Sequence, residues 1–238
     1  MSNFRAIILC GGKGERLKPF TISLPKALMP VGEYPILEIV IRQLVKYKIT
    51  NITLAVNHQA KLIESFFGDG SAYGAKIDYS LESKPLGTVG PLSIINDLPD
   101  NFLVMNADIL TDLNFLSLFK NHLVNKKIMT IAGSERKQYI DFGVLKMNNN
   151  NNLKAFLEKP TNNYLVSMGI YILNKSILKY IPKNKKYGFD NLIHKLINKK
   201  IQVNIKAHKK YWLDIGRPDD YIEATKKIKS DKFLFLNE

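Results

Sequence analysis

The most constraining feature of this chain is an apolar run that leads directly into a glycine-rich turn. Residues 6–10 form the run, and Gly11, Gly12 and Gly14 follow it. A short apolar run is typical of a strand that is buried on both faces of a parallel sheet. The glycines let the backbone turn sharply and bring N–H groups close to an anion. The pattern therefore predicts a strand and loop suited to a phosphate group.

Two basic residues near this turn can supply the positive charge that glycine lacks. Arg16 lies two residues after Gly14, and Lys26 closes the segment Leu24-Pro-Lys26. An arginine guanidinium is a planar fork for phosphate oxygens, whereas a lysine ammonium is a mobile point charge. Together they suit a polyphosphate, as in a nucleoside triphosphate.

Two better-known glycine motifs do not fit this turn. A Walker A loop ends in Gly-Lys-Ser/Thr, but Gly14 is followed by Glu15 and Arg16. A dinucleotide-binding fingerprint needs a third glycine where Leu17 stands, and Pro19 argues against a long helix directly after the turn. A plain tight turn after a first strand remains the alternative for this loop taken alone.

The length and patterning predict one α/β domain. The chain has 238 residues and no Pro/Ser-rich linker, and strand-like runs alternate with amphipathic segments in its first half. We predict a Rossmann-like, mixed and mostly parallel sheet flanked by helices. A small β-rich part in the second half should bind a second substrate, which we call the acceptor. The single domain spans 1–238, with a nucleotide-binding half at about 1–125 and an acceptor-binding half at about 126–228.

Local patterns predict the individual elements. We predict a hairpin loop at 148–152, where asparagines form a low-complexity run. Helices are predicted at 35–45, 60–67, 92–98 and 189–198, with a last helix starting at Pro218. Strands are predicted at 6–10, 51–56, 77–80, 102–106, 129–132, 142–147, 153–157, 168–173 and 202–206.

The formal net charge of +14 at pH 7 does not by itself indicate a nucleic-acid partner. The lysines are scattered and concentrate late, as at Lys183 to Lys186, which favours a solvated basic face. Nucleic-acid binding therefore remains an alternative that depends on charge alone.

No apolar run is long enough to span a bilayer, and the N-terminus lacks the layout of a signal peptide. We expect a cytoplasmic protein without a membrane partner. The only cysteine, Cys10, falls within the first predicted strand, which excludes an internal disulfide and favours a packing role.

Two aspartates follow apolar strands and are candidate Mg²⁺ ligands. Asp108 comes after the strand at 102–106, and Asp214 follows Trp212-Leu213. Mg²⁺ is typically held by one or two carboxylates while substrate phosphates and waters complete its octahedron. An aspartate that caps a following turn is the alternative for each. Because ligands gather outside the carboxyl ends of strands in open α/β sheets, Gly11, a second loop around Gly87 and Asp108 should converge.

Ordered motifs along nearly the whole chain resemble those of the sugar-1-phosphate nucleotidylyltransferases. They run in the family's order from about Arg5 to Ala224. The motifs are Gly11-Gly-Lys-Gly-Glu-Arg-Leu-Lys-Pro19 with Leu24-Pro-Lys26, Pro85-Leu-Gly-Thr88, Asp108, Phe142-Gly143, Glu158-Lys-Pro160, Gly169-Ile-Tyr171 and Trp212-Leu-Asp-Ile-Gly216.

The resemblance implies a nucleotide site, three catalytic residues and a metal site. Arg16 would steady the departing pyrophosphate, Lys26 would contact phosphate near the reacting centre, and Asp108 would act with them. Asp108 and Asp214 would hold Mg²⁺. The implied nucleotide-binding residues are Leu9, Gly11, Gly12, Gly14, Arg16, Pro85, Gly87 and Thr88.

The resemblance also implies a sugar 1-phosphate site. Gly143, Glu158, Lys159 and Ser167 would meet the acceptor, with Glu158 accepting hydrogen bonds from sugar hydroxyls and Lys159 reaching the phosphate. Adjacent opposite charges at a strand end are the alternative explanation for Glu158 and Lys159.

The implied reaction moves a nucleotidyl group from a nucleoside triphosphate to a sugar 1-phosphate. The loop from Pro85 looks most like that of mannose-1-phosphate guanylyltransferases, so GTP with a mannose- or heptose-type 1-phosphate is the expected pair. Uridylyl, cytidylyl or thymidylyl transfer, and a non-catalytic regulatory homologue, are alternatives. The possibility of a homo-oligomer is left open.

The four histidines show no metal-ligand spacing and are expected to be structural or solvated: His58, His122, His194 and His208.

Overall fold

The main sheet is mixed and mostly parallel. The computed structural model describes residues 4–12, 14–57 and 59–236. Within these residues, seven strands pair in the order β12-β8-β11-β6-β1-β4-β5, and β9/β10, β7/β13 and β2/β3 form separate pairs. The strands are β1 (Arg5–Leu9), β2 (Pro30–Val31), β3 (Tyr34–Pro35), β4 (Asn51–Val56), β5 (Lys76–Leu81), β6 (Asn101–Asn106), β7 (Ile109–Thr111), β8 (Met129–Tyr139), β9 (Val144–Met147), β10 (Leu153–Leu157), β11 (Thr161–Asn174), β12 (Asn204–His208) and β13 (Trp212–Asp214).

The helices largely follow the predicted segments. The predicted helix at 92–98 is wrong, because only a 3₁₀ turn forms there, at Gly90–Ser93, before a loop leads into β6. Pro91 in that turn has no N–H to donate, and the short stretch buries Leu92 without completing a second turn. The helices are α1 (Ile36–Lys46), α2 (Ala60–Phe67), α3 (Phe115–Asn125), α4 (Phe189–Asn198), α5 (Pro218–Ser230) and α6 (Lys232–Leu236).

Period-two alternation along β1 directs its side chains to two separate cores. Ala6 and Ile8 pack with the buried faces of α1, α2 and α3 on one side of the sheet. Ile7 packs on the other side with Leu192 and Leu196 of α4. All three β1 side chains are fully buried, as the apolar run predicted.

Cys10 lies directly after β1 rather than inside it. Its backbone N–H donates to Ala55 O at 2.8 Å, which extends the pairing with β4 by one residue. The side chain is buried in the core, and this burial raises the pKa of the thiol. A protonated, buried thiol supports the expected packing role.

The two halves of the chain meet in one sheet. Strands β1, β4, β5 and β6 are parallel neighbours, whereas β11 runs antiparallel to both β6 and β8. Beyond the sheet, β9 and β10 form an antiparallel hairpin whose turn is the asparagine run. The predicted fold class is therefore confirmed, including the β-rich second half.

None of the helices in the described ranges is long and apolar enough to cross a bilayer. The N-terminal residues 1–3, on which the signal-peptide argument depends, and His58 lie outside the described residues.

His122 is a buried polar residue that joins α3 to the sheet. Its side chain is 1% exposed, with Nδ1 2.8 Å from Thr130 Oγ1 and Nε2 3.1 Å from Asn101 Oδ1. Burial lowers the pKa of His122. The unfolded chain therefore binds more protons than the native state at pH values between this lowered pKa and the ordinary value near 6.5.

We expect the free energy of unfolding to fall as the pH drops below about 6.5, because His122 must remain neutral in the native state. Urea unfolding at pH 7.5 and pH 5.5 measures this loss. His122→Gln should show a smaller loss on acidification than the wild type, although it is less stable at pH 7.5. The exposed His194 is the matched control, and His194→Gln should lose as much as the wild type. An equal loss in His122→Gln would contradict the assignment.

Candidate active site

One cavity of about 520 Å³ opens at the carboxyl ends of the parallel strands. It brings together the two glycine loops, the basic residues Arg16 and Lys26, and Asp108. Such a convergence was predicted because the glycine loops and Asp108 follow strands of the sheet. The predicted site residues in its wall are Leu9, Gly11, Gly12, Gly14, Arg16, Lys26, Pro85, Gly87, Thr88 and Asp108.

The first glycine turn needs glycine for a steric reason. Gly14 has a φ of +61°, and a Cβ there would lie 2.7 Å from Thr21 Cγ2. Thr21 Oγ1 donates to Gly14 O at 2.7 Å, so the turn is fastened to the following 3₁₀ segment. Asn57, directly after β4, donates from Nδ2 to Gly11 O and fixes the start of the turn. Side chains from two other segments therefore hold the shape of this loop.

Lys26 and Asp108 form an ion pair at the cavity wall. Lys26 Nζ contacts Asp108 Oδ2, and the two side chains are only 13% and 18% exposed. Asp108 Oδ1 is buried and has no hydrogen-bond partner among the residues that the structure describes. A buried carboxylate oxygen without a donor is costly, which makes this atom a candidate contact for a ligand.

Pairing of β7 with β13 places Asp214 near Asp108. Asp214 lies opposite Ile109, the residue that follows Asp108, and Ile215 N donates to Asp108 O at 2.9 Å. Burial, followed by the negative charge of Asp108, raises the pKa of Asp214. The positive charges of Lys26 and Arg16 act in the opposite direction. These four charged groups therefore form one electrostatic cluster, although Asp214 itself is not among the described residues of the cavity wall.

Arg16 is held against the segment that follows Asp214. A Cβ on Gly216 would lie 3.1 Å from Arg16 Nη2, and both residues line the cavity. Glycine at 216 therefore lets the guanidinium lie close to the backbone.

The donor set at this point fits a magnesium ion. It offers the unpartnered Asp108 Oδ1 and a second, half-buried carboxylate, Asp214, whose charge is disfavoured by burial and by the charge of Asp108. Mg²⁺ prefers oxygen ligands and is usually held by one or two carboxylates together with substrate phosphates and waters. No cluster of three or more His, Cys, Asp or Glu side chains suited to a metal occurs in the described ranges. That Asp108 and Asp214 hold Mg²⁺ stays a prediction.

The second glycine loop is clamped by a segment from the other half of the chain. Tyr187 N donates to Leu86 O at 2.8 Å, and Tyr187 O accepts from the N–H groups of Val89 and Gly90, each at 3.1 Å. Lys186, the residue before Tyr187, lines the cavity at this point. Lys186 is exposed, in agreement with the predicted solvated basic face at 183–186, and it also borders the cavity.

Gly87→Ala is expected to loosen this clamp. Gly87 has a φ of +81°, and a Cβ there would lie 2.7 Å from Tyr187 O. We expect a loss of about 2–4 kcal/mol in the free energy of unfolding, together with weaker nucleotide binding. Urea unfolding and nucleotide titration measure the two effects.

Gly68→Ala is the matched control for this change. Gly68 also has a positive φ, of +52°, but no atom lies within 4 Å of its Cβ position. It should lose about 1–3 kcal/mol from backbone strain, because its ψ of −135° places it in a region that is essentially restricted to glycine, and it should keep its nucleotide affinity. An equal loss of nucleotide affinity in the two variants would show that the contact with Tyr187 carries no weight.

The predicted acceptor residues lie outside the described wall of this cavity. Gly143 and Glu158 are close together, because a Cβ on Gly143 would lie 3.3 Å from Glu158 Oε2. Lys159, at the end of the β9–β10 hairpin, forms an exposed ion pair with Asp141 at 2.8 Å. Ser167 on β11 lies within 3.1 Å of Tyr171 OH through its Oγ. These residues thus occupy the hairpin and strand of the second half, and their role stays a prediction.

Seven residues of the cavity wall were not among the predicted site residues: Glu15, Asn57, Glu82, Pro91, Asn106, Lys186 and Gly216. Asn57 follows β4 directly and Glu82 follows β5 directly. The same rule that selected Asp108, a polar residue at the carboxyl end of a parallel strand, could have found both. Lys186 carries no comparable local signal, because its position depends on a long-range clamp.

Two histidines have polar partners in the structure. His122 is buried as described above, and His208 Nε2 lies 2.8 Å from Asp112 Oδ1. His194 is exposed on α4. None of these three lines the cavity within the described part of the chain, which agrees with the expected structural or solvated role.

Comparisons with known proteins agree with this geometry. A UTP–glucose-1-phosphate uridylyltransferase of Synechocystis sp. is 31% identical over 246 residues, covering 95% of this chain and 63% of that protein. A mannose-1-phosphate guanyltransferase of Schizosaccharomyces pombe is 31% identical over 230 residues, covering 93% of this chain and 63% of that protein. The chain thus spans less than two thirds of the length of these curated relatives.

A solved structure and a family model complete the comparison. The crystal structure of a putative glucose-1-phosphate thymidylyltransferase from Bacillus anthracis, in complex with a sucrose, superposes with a TM-score of 0.75. It is 22% identical, with 94% of this chain and 95% of that chain covered, so it shows a shared fold. The family model described as nucleotidyl transferase matches residues 5–231. Because that match spans nearly all of the chain, the protein belongs to the nucleotidyl transferase family.

Proposed function

We propose that this protein transfers a nucleotidyl group from a nucleoside triphosphate to a sugar 1-phosphate, releasing pyrophosphate. The observation that carries the proposal is the convergence, in one cavity, of two glycine loops, Arg16 and the Lys26–Asp108 pair. Such a set can bind a triphosphate and compensate negative charge that moves during the reaction. The names of the similar proteins support the same reaction class.

The proposed reaction is an in-line displacement at the α-phosphorus. A phosphate oxygen of the sugar 1-phosphate forms the new bond to that phosphorus, and the bond to the oxygen bridging to the β-phosphate breaks. The N–H groups of the first glycine turn orient the triphosphate. Arg16 stabilises the charge on the departing pyrophosphate, and Lys26 stabilises the charge at the α-phosphate. The protein thus mainly positions its substrates and neutralises charge.

Asp108 and Asp214 would hold the Mg²⁺ cofactor. Bound there, the ion would reduce the repulsion between the two anionic substrates and polarise the α-phosphate. Asp108 has a second role within the chain, because its pairing with Lys26 orients the ammonium group at the cavity wall. Losing Asp108 would therefore disturb both the metal and the lysine.

The second half of the chain would bind the acceptor. Glu158 accepts hydrogen bonds from sugar hydroxyls, Lys159 binds the acceptor phosphate, and Gly143 and Ser167 complete this side. The exposure of the Lys159–Asp141 pair supports this role, because an exposed ion pair exchanges readily for a phosphate ligand. In this proposal residues 1–238 act as one domain, with halves at about 1–125 and about 126–228.

GTP and a mannose- or heptose-type 1-phosphate are the proposed substrates. The similarity to a mannose-1-phosphate guanyltransferase supports this pair, whereas the similarity to a uridylyltransferase supports UTP as the alternative. We propose the cytoplasm as the place of action, since nucleoside triphosphates and sugar phosphates are available there. The same proposal holds that the protein binds these small molecules but neither nucleic acid nor membrane, which pull-down can test. It also includes a homo-oligomeric state, which light scattering can test.

Pyrophosphate release with Mg²⁺ tests the reaction directly. GTP, CTP, UTP, dTTP and ATP are each paired with mannose, glucose, glucosamine and heptose 1-phosphates. Turnover with at least one pair, and none without the acceptor, is the expected result. A folded protein that binds nucleotide but stays inactive across the panel would contradict the transferase and favour a regulatory homologue.

A further inference from the structure

A second cavity lies at the opposite end of the sheet from the active-site cavity. It has a volume of about 390 Å³, and its polar lining side chains are Asn101, His122, Lys126, Lys127, Asn174 and Ser176. Asn101 begins β6, whereas Asn106, which lines the active-site cavity, ends the same strand. Successive strand residues rise about 3.3 Å, so these two residues lie roughly 17 Å apart. The second cavity is therefore separate from the candidate active site.

A chain of hydrogen bonds fixes the orientation of Asn101 at the wall of this second cavity. It starts at Ser176 N, which can only donate and reaches Asn174 Oδ1 at 3.0 Å. Asn174 therefore directs its amide nitrogen to Asn101 Oδ1, at 3.1 Å. His122 Nε2, 3.1 Å from the same oxygen, is a second donor to it. The oxygen of Asn101 is thus used twice inside the protein, and its amide nitrogen is directed elsewhere.

The amide nitrogen of Asn101 is available to a ligand. It forms no hydrogen bond within the described ranges, and it is not among the buried unpartnered atoms there. Behind Asn101, His122 is only 1% exposed, and its Nδ1 is 2.8 Å from Thr130 Oγ1. A buried side chain on each side of the sheet edge therefore holds Asn101 in place. The second cavity thus offers a pair of fixed N–H donors.

Two lysines add positive charge to the second cavity without a compensating carboxylate. Lys126 and Lys127 directly follow α3 and line the cavity. Neither forms an ion pair with a carboxylate in the described ranges. Lys127 Nζ instead has a neutral partner, Gln202 Oε1, at 2.5 Å. Since no Asp or Glu of the described residues lines this cavity, its wall is positively charged.

The end of α3 explains only part of this arrangement. The carbonyl end of a helix carries the equivalent of about half a negative charge, which favours nearby cations. Lys126 is also the C-cap of α3, with a φ of +48°. Half a negative charge leaves most of the charge of two lysines uncompensated, and it gives no reason for the fixed amide of Asn101. An anionic ligand accounts for both features.

We propose that the second cavity binds a phosphate group, carried either by inorganic phosphate or by a phosphate monoester of a small molecule. Lys126 and Lys127 supply the positive charge, and Asn101 Nδ2 donates to a phosphate oxygen. Ser176 Oγ already donates to Asn174 Oδ1 at 2.6 Å, so it accepts from a ligand hydroxyl. A cavity of about 390 Å³ is within the range that takes small organic ligands. The site is independent of the proposed nucleotidyl transfer.

Calorimetric titration with glucose 6-phosphate, inorganic phosphate and glucose tests this site. The wild type should bind at least one of the two phosphates and should not bind glucose, and the tighter phosphate identifies the source of the group. Combining Lys126→Gln with Lys127→Gln should weaken phosphate binding about tenfold or more. Lys120→Gln, at an exposed position of the same helix, is the matched control and should bind as the wild type does.

Two further variants distinguish the second cavity from the active-site cavity. Asn101→Asp keeps the oxygen that accepts from His122 and Asn174, but it replaces the amide nitrogen with an anionic oxygen. Phosphate binding should therefore fall about tenfold or more while thermal unfolding stays cooperative. Lys26→Gln removes a cation of the active-site cavity and should bind phosphate as the wild type does. If Asn101→Asp fails to fold, the variant without the two lysines still decides.

Absence of phosphate binding by the wild type would overturn the proposal. So would an unchanged affinity in the variant without Lys126 and Lys127. A loss in Lys26→Gln as large as in that variant would place the phosphate in the active-site cavity instead. Glucose binding as tightly as glucose 6-phosphate would show that the phosphate is not recognised. Failure of the transfer reaction would change none of these results, since the titrations contain neither a nucleotide nor a sugar 1-phosphate.

Discussion

Replacing Asp108 with asparagine is expected to lower the rate of pyrophosphate release by about 10³-fold or more while the protein stays folded. Asparagine keeps the size and shape of the side chain but removes its negative charge. Two things are lost together: the counter-charge that orients Lys26 Nζ, and the anionic oxygen that is buried without a partner in the described residues. Because both act on charge that develops during the reaction, kcat should fall more than KM rises.

Initial rates at saturating Mg²⁺ and nucleotide measure this loss. Asp97→Asn is the matched control, since Asp97 is exposed and has a φ of +55°, a conformation that asparagine adopts readily. The control should keep full turnover. Thermal unfolding of Asp108→Asn should remain cooperative, because Asp108 belongs to the cavity wall. A turnover within tenfold of the wild type would remove Asp108 from the catalytic assignment.

Lys26→Gln is expected to lower kcat by about 10²- to 10³-fold. The Lys26 side chain is only 13% exposed and is paired with Asp108, so in the proposed reaction it would meet a substrate phosphate in a poorly solvated position. In such surroundings a fixed charge is worth more than the same charge in bulk water. Glutamine retains a hydrogen-bond donor but cannot compensate the charge of the phosphate.

A double-variant cycle shows whether Lys26 and Asp108 act as a unit. If they do, combining Lys26→Gln with Asp108→Asn should cost little more than the worse single change, because each single change already disables the pair. Purely multiplicative losses would show that the two residues act separately. Lys61→Gln, on the exposed face of α2, is the control for removing a lysine and should leave kcat unchanged.

The first glycine turn shows what local reasoning can reach. The apolar run predicted β1, and three glycines within four residues predicted a tight turn, because both depend on side-chain burial and backbone freedom within a few residues. The same reasoning failed at 92–98, where apolar residues at helical spacing form only a short 3₁₀ turn. There Pro91 and the clamp on Gly90 outweigh local helix propensity.

The aspartates show how far a strand-end rule extends. Asp108 and Asp214 were selected because each follows apolar strand residues, and pairing of β7 with β13 places them in one charged cluster. Applied to every parallel strand, the same rule would have added Asn57 and Glu82. The carboxyl end of a strand is visible in the sequence, whereas the partner that meets it there is not.

By itself, the sequence determined the fold class, the position of the first glycine turn and the family, because periodicity, glycine content and ordered motifs are local properties of the chain. The tertiary structure alone decided which distant segments share the cavity. It brought Lys186 to the second glycine loop and Gly216 to Arg16, and it set Glu82 between two loops. The physical reason is that hydrogen bonds and packing between segments up to 200 residues apart carry no signature within either segment.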